Sequence, residues 1–319
     1  MSPRVSAWAR FAGSLVVLAA LVWRLGTGPF LDGLRTIDGG ALAAAAGIAV
    51  LSTVCYAWRW KLVAGGLGLD LSLPAAVAAY YRSLFLNAAL PGGILGDVHR
   101  GASHGRDVND VSHALRAVAW ERFAGQVVQV LLTIVVLLVL PSPVQAVMPW
   151  VAVAVIVAAL GVLLMARAPP GGTRSVWARA RRAAAGDIRR GLPARRAWLG
   201  IAFASTLAVA GHTATFLVAA RTAGATAPPA RMLSIALIAL AAMMLPSVGG
   251  WGPREGVVAW VFSAAGLGAQ RGIATAVVYG VMVLVASLPG TAVLAAGWFH
   301  RSGPPGVPRS RRQERAAHA

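Results

Sequence analysis

The sequence predicts an all-α integral membrane protein, and three observations support that fold class. Of its 319 residues, 58% are hydrophobic and only 12% are charged, whereas soluble domains carry about a quarter charged residues. The mean hydropathy is +0.69, and several apolar runs reach the roughly 20 residues that a helix needs to cross a bilayer. Two similar glycine-rich breaks interrupt the apolar pattern. We expect about six full transmembrane helices and two re-entrant half-helix pairs, arranged as an inverted repeat.

The apolar runs give the order of these elements. The predicted full spans are 7–25, 40–58, 115–140, 147–165, 198–220 and 273–299. The run at 74–90 carries an arginine and ends at a proline, so it predicts a half-helix that dips into the membrane and returns. The runs at 231–245 and 256–267 flank the second break and predict the other short pair. The alternative is a full span over 231–248, which would invert the local topology.

The charges are strongly unbalanced. The chain has 29 Lys and Arg against 10 Asp and Glu, a formal net charge of +19. The excess is concentrated at 167–196 and 301–319, without the interleaved aromatic residues that stack nucleic-acid bases. Cytoplasmic loops of membrane proteins concentrate Lys and Arg. The distribution therefore predicts a multi-pass protein of the plasma (inner) membrane, with both termini in the cytoplasm and no nucleic-acid partner.

A single polytopic transmembrane domain is expected over 1–300. Its first half covers 1–166, a basic cytoplasmic loop covers 167–197, and its second half covers 198–300. The remaining residues, 301–319, predict a basic, disordered cytoplasmic tail. Two local features are also expected at the inner membrane interface: the Trp- and cation-rich segment 58–61, and a polar loop at 100–112.

The two breaks share one pattern. Asn87–Arg100 and Leu245–Gly256 each contain Leu-Pro, then glycines, then an acid and an arginine close together. Backbone that leaves the helix at membrane depth must be buried in protein or line a wet cavity, and paired broken helices are typical of transporters with inverted repeats. The residues expected to form the breaks are Pro91, Gly92, Gly93, Gly96, Pro246, Gly249, Gly250 and Gly252.

Charged residues beside these breaks are the candidates for contacting a ligand. Arg100 and Arg254 carry guanidinium groups that match phosphate, although an arginine snorkelling to the interface is the alternative. Acids within membrane segments are costly and mark functional sites, and a purely structural salt bridge is the alternative. Because Glu121 and Glu255 each adjoin an arginine in sequence, each is expected to pair with an arginine from another element. The full candidate set is Asn87, Asp97, Arg100, Glu121, Arg122, Arg254 and Glu255.

No catalytic residue, metal site or cofactor is predicted. His99, His104 and His113 lie near Asp97, Asp107 and Asp110, but their spacing matches no familiar set of metal ligands. The single cysteine, Cys55, cannot form a disulfide framework, and nucleotide-binding and hydrolase motifs are missing from the sequence. A histidine inside the fifth span, His212, is expected to hydrogen-bond a neighbouring helix.

These motifs resemble the flippase-like transmembrane domain of the lysylphosphatidylglycerol synthetase/flippase family. The resemblance rests on Asn87, Leu90–Gly93, Gly96-Asp97, Arg100, Glu121-Arg122, Pro246, Gly249–Gly252 and Arg254–Gly256. It implies a stand-alone lipid or glycolipid translocase. Because no soluble domain follows Ala319 in this sequence, lysyltransferase activity is not expected.

The predicted function is to move an amphipathic lipid with an anionic or phosphate-bearing headgroup between leaflets. The expected partners are therefore membrane lipids, either an anionic phospholipid or a glycolipid. One alternative is a membrane-embedded enzyme that acts on a polyprenyl-phosphate lipid. The other is a non-catalytic lipid-binding partner of an envelope-synthesis enzyme.

Overall fold

The computed structural model describes residues 16, 19–90, 93–167, 185–187, 195–244 and 252–302. Within these ranges the chain forms helices and no strand. A helical stretch at 19–25 comes first. The α-helices that follow are α1 (Gly28–Arg35), α2 (Gly39–Gly66), α3 (Leu73–Ala89), α4 (Leu95–Asp107), α5 (Val111–Val139), α6 (Met148–Arg167), α7 (Arg195–Thr222), α8 (Pro229–Ala242), α9 (Pro253–Ala264), α10 (Ala269–Ser287) and α11 (Pro289–Ser302).

Five helical segments of the described chain are long and apolar enough to cross a membrane. They are Gly39–Gly66, Val111–Val139, Gln145–Leu164, Ala197–Thr222 and Ala269–Ala296. The prediction of an all-α, multi-pass membrane protein is therefore confirmed at this level. The predicted first span, 7–25, lies largely outside the described residues.

Polar residues at the helix starts explain where several helices begin. The Asp38 carboxylate accepts a hydrogen bond of 2.8 Å from the Ala41 amide at the start of α2. The Asp110 carboxylate does the same for the His113 amide at the start of α5, at 2.9 Å. Such side chains satisfy amide groups that have no partner within the helix, so these boundaries are encoded locally.

The helices pack around α2, α7 and α10. Among the described helices, α2 and α7 make the most extensive contact, and α10 packs against both of them. The short helices form two pairs, α3 with α4 and α8 with α9, whose members pack against each other. Each pair also contacts the long helix that follows it, α5 or α10 respectively.

The prediction of a polar interfacial loop at 100–112 is wrong. Residues 95–107 form α4, and its buried face includes Asp97, Arg100 and His104. Two glycines on this helix let α5 approach closely: a Cβ at Gly105 would lie 2.4 Å from the Val111 Cα. The segment is polar because its buried face carries ion pairs, which a hydropathy pattern cannot distinguish from a solvated loop.

The predicted interfacial position of 58–61 is also wrong in part. Helix α2 continues to Gly66, and Arg59 and Trp60 are buried within it. A buried arginine requires an acidic partner, and that partner comes from α5, as described below.

Only a short part of the basic loop is described, at 185–187. Its Asp187 side chain is buried and accepts hydrogen bonds from Arg116 Nε at 2.9 Å and Trp120 Nε1 at 3.1 Å. This acid therefore attaches the described part of the loop to the first turns of α5.

Candidate functional site

Five charged side chains from three helices meet in one buried network, which we call the first cluster. It consists of Arg59 from α2, Asp97 and Arg100 from α4, and Glu121 and Arg122 from α5. Glycines and small residues bring the helices close enough: a Cβ at Gly125 would overlap the Arg59 guanidinium, at 2.4 Å from Nη1.

Glu121 is the centre of the first cluster. Its carboxylate has no solvent exposure. One oxygen, Oε1, accepts hydrogen bonds from Arg59 Nε and from the Tyr80 hydroxyl, both at 2.7 Å, and contacts Arg59 Nη2 as well. The other oxygen, Oε2, accepts from Arg100 Nη2 at 2.7 Å. Every donor lies on a helix other than α5, so Glu121 connects α2, α3 and α4 to α5.

Asp97 is the second acid and joins α3, α4 and α5. Its oxygens accept hydrogen bonds from Arg122 Nη2 at 2.7 and 2.8 Å and from Arg100 Nε at 3.0 Å. The Ser83 hydroxyl and the Asn87 side-chain amide each donate at 3.1 Å. Asn87 also accepts from the Gly96 amide at 2.8 Å, which closes the break between α3 and α4.

Gly96 is required by the close approach of α3 and α4. A Cβ at this position would lie 2.1 Å from the Ser83 carbonyl oxygen. Because the obstacle is backbone, no side-chain movement could relieve the overlap. The glycine therefore sets the distance at which Asp97 can reach the donors on α3.

Arg100 is buried between aromatic rings. Its guanidinium carbon lies 4.1 Å from the Tyr80 ring centroid and 4.6 Å from that of Trp60. Aromatic faces attract cations, which helps to compensate for its complete burial. Among the described residues, its Nη1 is buried without a hydrogen-bond partner, and so is Nε of Arg122.

The first cluster carries an excess of positive charge and is exposed at one residue. Three guanidinium groups face two carboxylates, which leaves one net positive charge. The Arg122 side chain is 40% exposed, whereas those of Arg59 and Arg100 are 4% and 0% exposed. Arg122 is therefore the member of the cluster that a ligand can reach in this conformation.

Arg254 and Glu255 form a separate arrangement at the start of α9, which we call the second cluster. Arg254 donates to Glu255 Oε1 from Nε at 2.9 Å, and the Gly252 amide donates to Oε2 at 2.6 Å. Gly252 has φ 97°, a conformation that favours glycine. The pairing of Glu121 with arginines of other elements is confirmed, but for Glu255 that prediction is wrong. Its partner is the adjacent Arg254, because both side chains meet at the first turn of α9.

A series of rings runs between the two clusters. Tyr80 stacks on Tyr56 with centroids 5.6 Å apart, and Tyr56 lies 6.0 Å from His212. His212 Nδ1 is hydrogen-bonded to the Tyr279 hydroxyl at 2.9 Å, which confirms its predicted bond to a neighbouring helix. The guanidinium carbon of Arg254 lies 5.5 Å from the Tyr279 centroid. The rings thus connect the acid of one cluster with the arginine of the other.

The structure brings the first-half candidates together and leaves the second-half candidates apart from them. Asn87, Asp97, Arg100, Glu121 and Arg122 belong to one network. Pro91, Gly92, Pro246, Gly249 and Gly250 lie outside the described residues; Gly93 has φ 64° between α3 and α4.

Six residues of the site are not predicted from the sequence. They are Tyr56, Arg59, Trp60, Tyr80, Ser83 and Tyr279. An arginine within an apolar helix is itself a signal of function, so Arg59 could have been selected. The aromatic and hydroxyl residues carry no comparable signal.

The arrangement suits the binding of anions better than metal ligation. Both oxygens of Asp97 and of Glu121 already accept hydrogen bonds from arginines. Across the described residues, no group of three or more His, Cys, Asp or Glu side chains is placed to hold a metal ion. The groups with unused capacity are guanidinium N–H donors, which match phosphate and carboxylate oxygens.

Comparison with known proteins identifies the family of the chain. No curated protein matches the chain significantly. The family described as the lysylphosphatidylglycerol synthase TM region matches residues 7–290, which include both clusters. Since the match covers most of the 319 residues, the chain belongs to that transmembrane family.

Proposed function

We propose that the protein is a lipid translocase that moves an amphipathic lipid with an anionic or phosphate-bearing headgroup between the leaflets of the plasma membrane. Family membership supports a role related to membrane lipids. In the proposal, the headgroup passes between the two clusters while the hydrocarbon chains stay in an apolar environment.

The observation that carries the proposal is the unbalanced charge of the first cluster. An uncompensated charge in a largely buried site is costly. One positive charge remains here after the two acids are paired, and the partly exposed Arg122 brings it within reach of an anion. A headgroup phosphate would supply the missing negative charge and accept hydrogen bonds from arginine. Arg122 would make the first contact because its side chain is 40% exposed. Arg100 would hold the acids in place and contact the headgroup after a rearrangement.

The packing pattern supports an inverted repeat. Equivalent helices of the two halves would be α2 and α7, α3–α4 and α8–α9, and α5 and α10. The contact of α5 with α7 then corresponds to that of α10 with α2, and both exist. The contact of α5 with α8 corresponds to that of α10 with α3, and both exist as well. Short helix pairs that enter from opposite faces would give the headgroup one site in each half.

The proposed orientation has both termini and the basic loop in the cytoplasm, following the concentration of arginines there. The first cluster would then receive the headgroup from the cytoplasmic side. Arg254 would receive it at the other end of the ring series. Its pair with Glu255 is neutral, so a transported anion would bind there more weakly and could leave.

The test is translocation by the purified protein in liposomes that contain a fluorescent phosphatidylglycerol. An outside-only quencher measures how much lipid crosses. Arg122→Gln should reduce translocation strongly, and Arg122→Lys, which keeps the charge, should reduce it less. Arg106→Gln is the matched control, because this arginine on α4 is exposed and, within the described part of the chain, donates to a carbonyl of its own helix and to no acid.

Each outcome separates the candidate functions. Translocation that falls with Arg122→Gln and not with Arg106→Gln supports the proposal. Lipid that stays protected across several headgroups argues against it and favours a lipid-binding partner of an envelope-synthesis enzyme. Conversion of a polyprenyl-phosphate lipid, lost on chelation of divalent metal, would instead indicate the membrane-embedded enzyme.

A further inference from the structure

A cavity lies between the two halves of the protein, beside the first break. Its walls come from α2, α3, α7 and α10, and its volume is about 70 Å³. A single water needs about 10–15 Å³ by this measure, so the cavity has room for several carbons of a chain. Ala88, in the last turn of α3, places the cavity directly before the break that holds Asn87 and Gly96.

The cavity wall is mostly apolar. Small side chains create the space, including Ala45, Ala49, Ala88 and Ala286. The wall also contains polar groups, and the hydroxyls of Ser52, Thr215 and Ser287 donate to carbonyl oxygens of their own helices, at 2.7–3.0 Å. These three O–H donors are therefore unavailable to a ligand. Thr53, Tyr56 and His212 also line the wall, and a mostly apolar space of this kind disfavours water.

The cavity lies at the depth of the lipid hydrocarbon. Its wall residues on α2 and α7 occupy the central turns of two membrane-spanning segments, between Ala45 and Tyr56 on one and at His212 and Thr215 on the other. At this depth the surrounding solvent is hydrocarbon. A chain from a lipid is the occupant that matches both the wall and the location.

The cavity also adjoins the charged site. Tyr56 forms part of its wall and stacks on Tyr80, whose hydroxyl donates to Glu121. Two stacked rings, those of Tyr56 and Tyr80, therefore lie between the apolar space and Glu121. A lipid whose headgroup lies at the first cluster could place a chain here without crossing a polar region.

We propose that this cavity binds a hydrocarbon chain of the transported lipid, so that the protein holds a chain internally as well as the headgroup. The inference rests on the proposed function and adds a second subsite to it. Chains of a phospholipid and of a polyprenyl phosphate share this chemistry, and the experiment distinguishes them.

The experiment uses the full chain in nanodiscs with a phosphatidylglycerol that carries a photoactivatable diazirine at mid-chain. Cross-linked peptides are mapped by mass spectrometry. Cross-links are expected on wall residues of α2, α3, α7 and α10. Ala49→Leu and Ala286→Leu, on different helices, fill the space and should abolish these cross-links. Ala43→Leu is the matched control, since this exposed alanine lies on α2 and not in the wall.

Competition identifies the source of the chain and does not depend on a variant that folds. Unlabelled phosphatidylglycerol and unlabelled polyprenyl phosphate are added in separate experiments. The competitor that removes the cross-links is the lipid whose chain occupies the cavity. Cross-links confined to lipid-facing residues, or unchanged by both fillings and both competitors, would overturn the inference. Cross-links in the cavity without any translocation would instead overturn the proposed function and leave the cavity site standing.

Discussion

Replacing Glu121 with glutamine tests whether the first cluster holds the bundle together. The substitution keeps the volume and removes the negative charge. The net charge of the cluster would rise from one to two, in a place with no solvent exposure. The glutamine amide would also direct N–H groups toward arginine N–H groups, so donors would face donors.

The expected loss of stability is large. Removing one partner of a buried ion pair costs about 3–5 kcal/mol because the other partner stays buried and unpaired. Whole proteins are stable by only about 5–15 kcal/mol, so the variant should lose a large fraction of that. The measurement is unfolding in mixed micelles with an increasing fraction of sodium dodecyl sulfate, followed by far-ultraviolet circular dichroism. Asp32→Asn, which neutralises an exposed acid, is the control and should change little.

A double variant separates charge from packing. Arg59→Gln combined with Glu121→Gln removes one charge of each sign, so the net charge of the cluster returns to plus one. Residues in one ion-pair network couple by about 0.5–3 kcal/mol, and the double variant should be more stable than the sum of the single losses predicts. The reasoning fails if Glu121→Gln alone stays within about 0.5 kcal/mol of the wild type, the range of ordinary surface substitutions, or if the two losses simply add.

The remaining predictions concern the break and the ring series. The same unfolding assay measures stability in each case, and the liposome assay measures translocation. Gly96→Ala should destabilise the fold and abolish translocation, because its Cβ would lie 2.1 Å from the Ser83 carbonyl oxygen; Gly47→Ala, with no atom within 4 Å, should be neutral or slightly stabilising, and equal effects would contradict the argument. Asn87→Ala loses its bonds to the aspartate and the amide of α4 and should cost about 1–3 kcal/mol, whereas no loss would mean that the break closes without it. Tyr279→Phe leaves a buried histidine nitrogen without its partner and should cost about 1–3 kcal/mol; an unchanged variant would show that the ring series does not depend on this bond.

The charged half of the site could be predicted from the sequence because charges are rare in this chain. An acid or arginine at membrane depth is costly and persists for a reason, so Asp97, Arg100 and Glu121 could be selected without knowing their partners. The glycine-rich pattern added the location. In the structure, Asp97 and Glu121 both accept hydrogen bonds from Arg100. No rule of sequence spacing predicts this arrangement.

The parts that were not predicted depend on contacts between distant positions. The tryptophans and the lysine beside Arg59 are typical of a membrane interface. Only its bond to Glu121, 62 positions later in the sequence, shows that Arg59 is buried. The sequence predicts a loop in place of helix α4 because the buried face of this helix is polar. Hydropathy patterns detect apolar faces, so a helix whose buried face is made of ion pairs is invisible to them.

The burial of Arg100 limits how a headgroup can use the first cluster. Its guanidinium has no exposure and is held by two acids and two rings, so a phosphate cannot reach it while those contacts persist. A phosphate bound at the exposed Arg122 would compete with Asp97 for that arginine, since both present oxygens to the same N–H groups. Asp97 is also the acid that ties α4 to α3. Headgroup binding and loosening of the break would then be one event, which would couple substrate arrival to movement of the short helix pair.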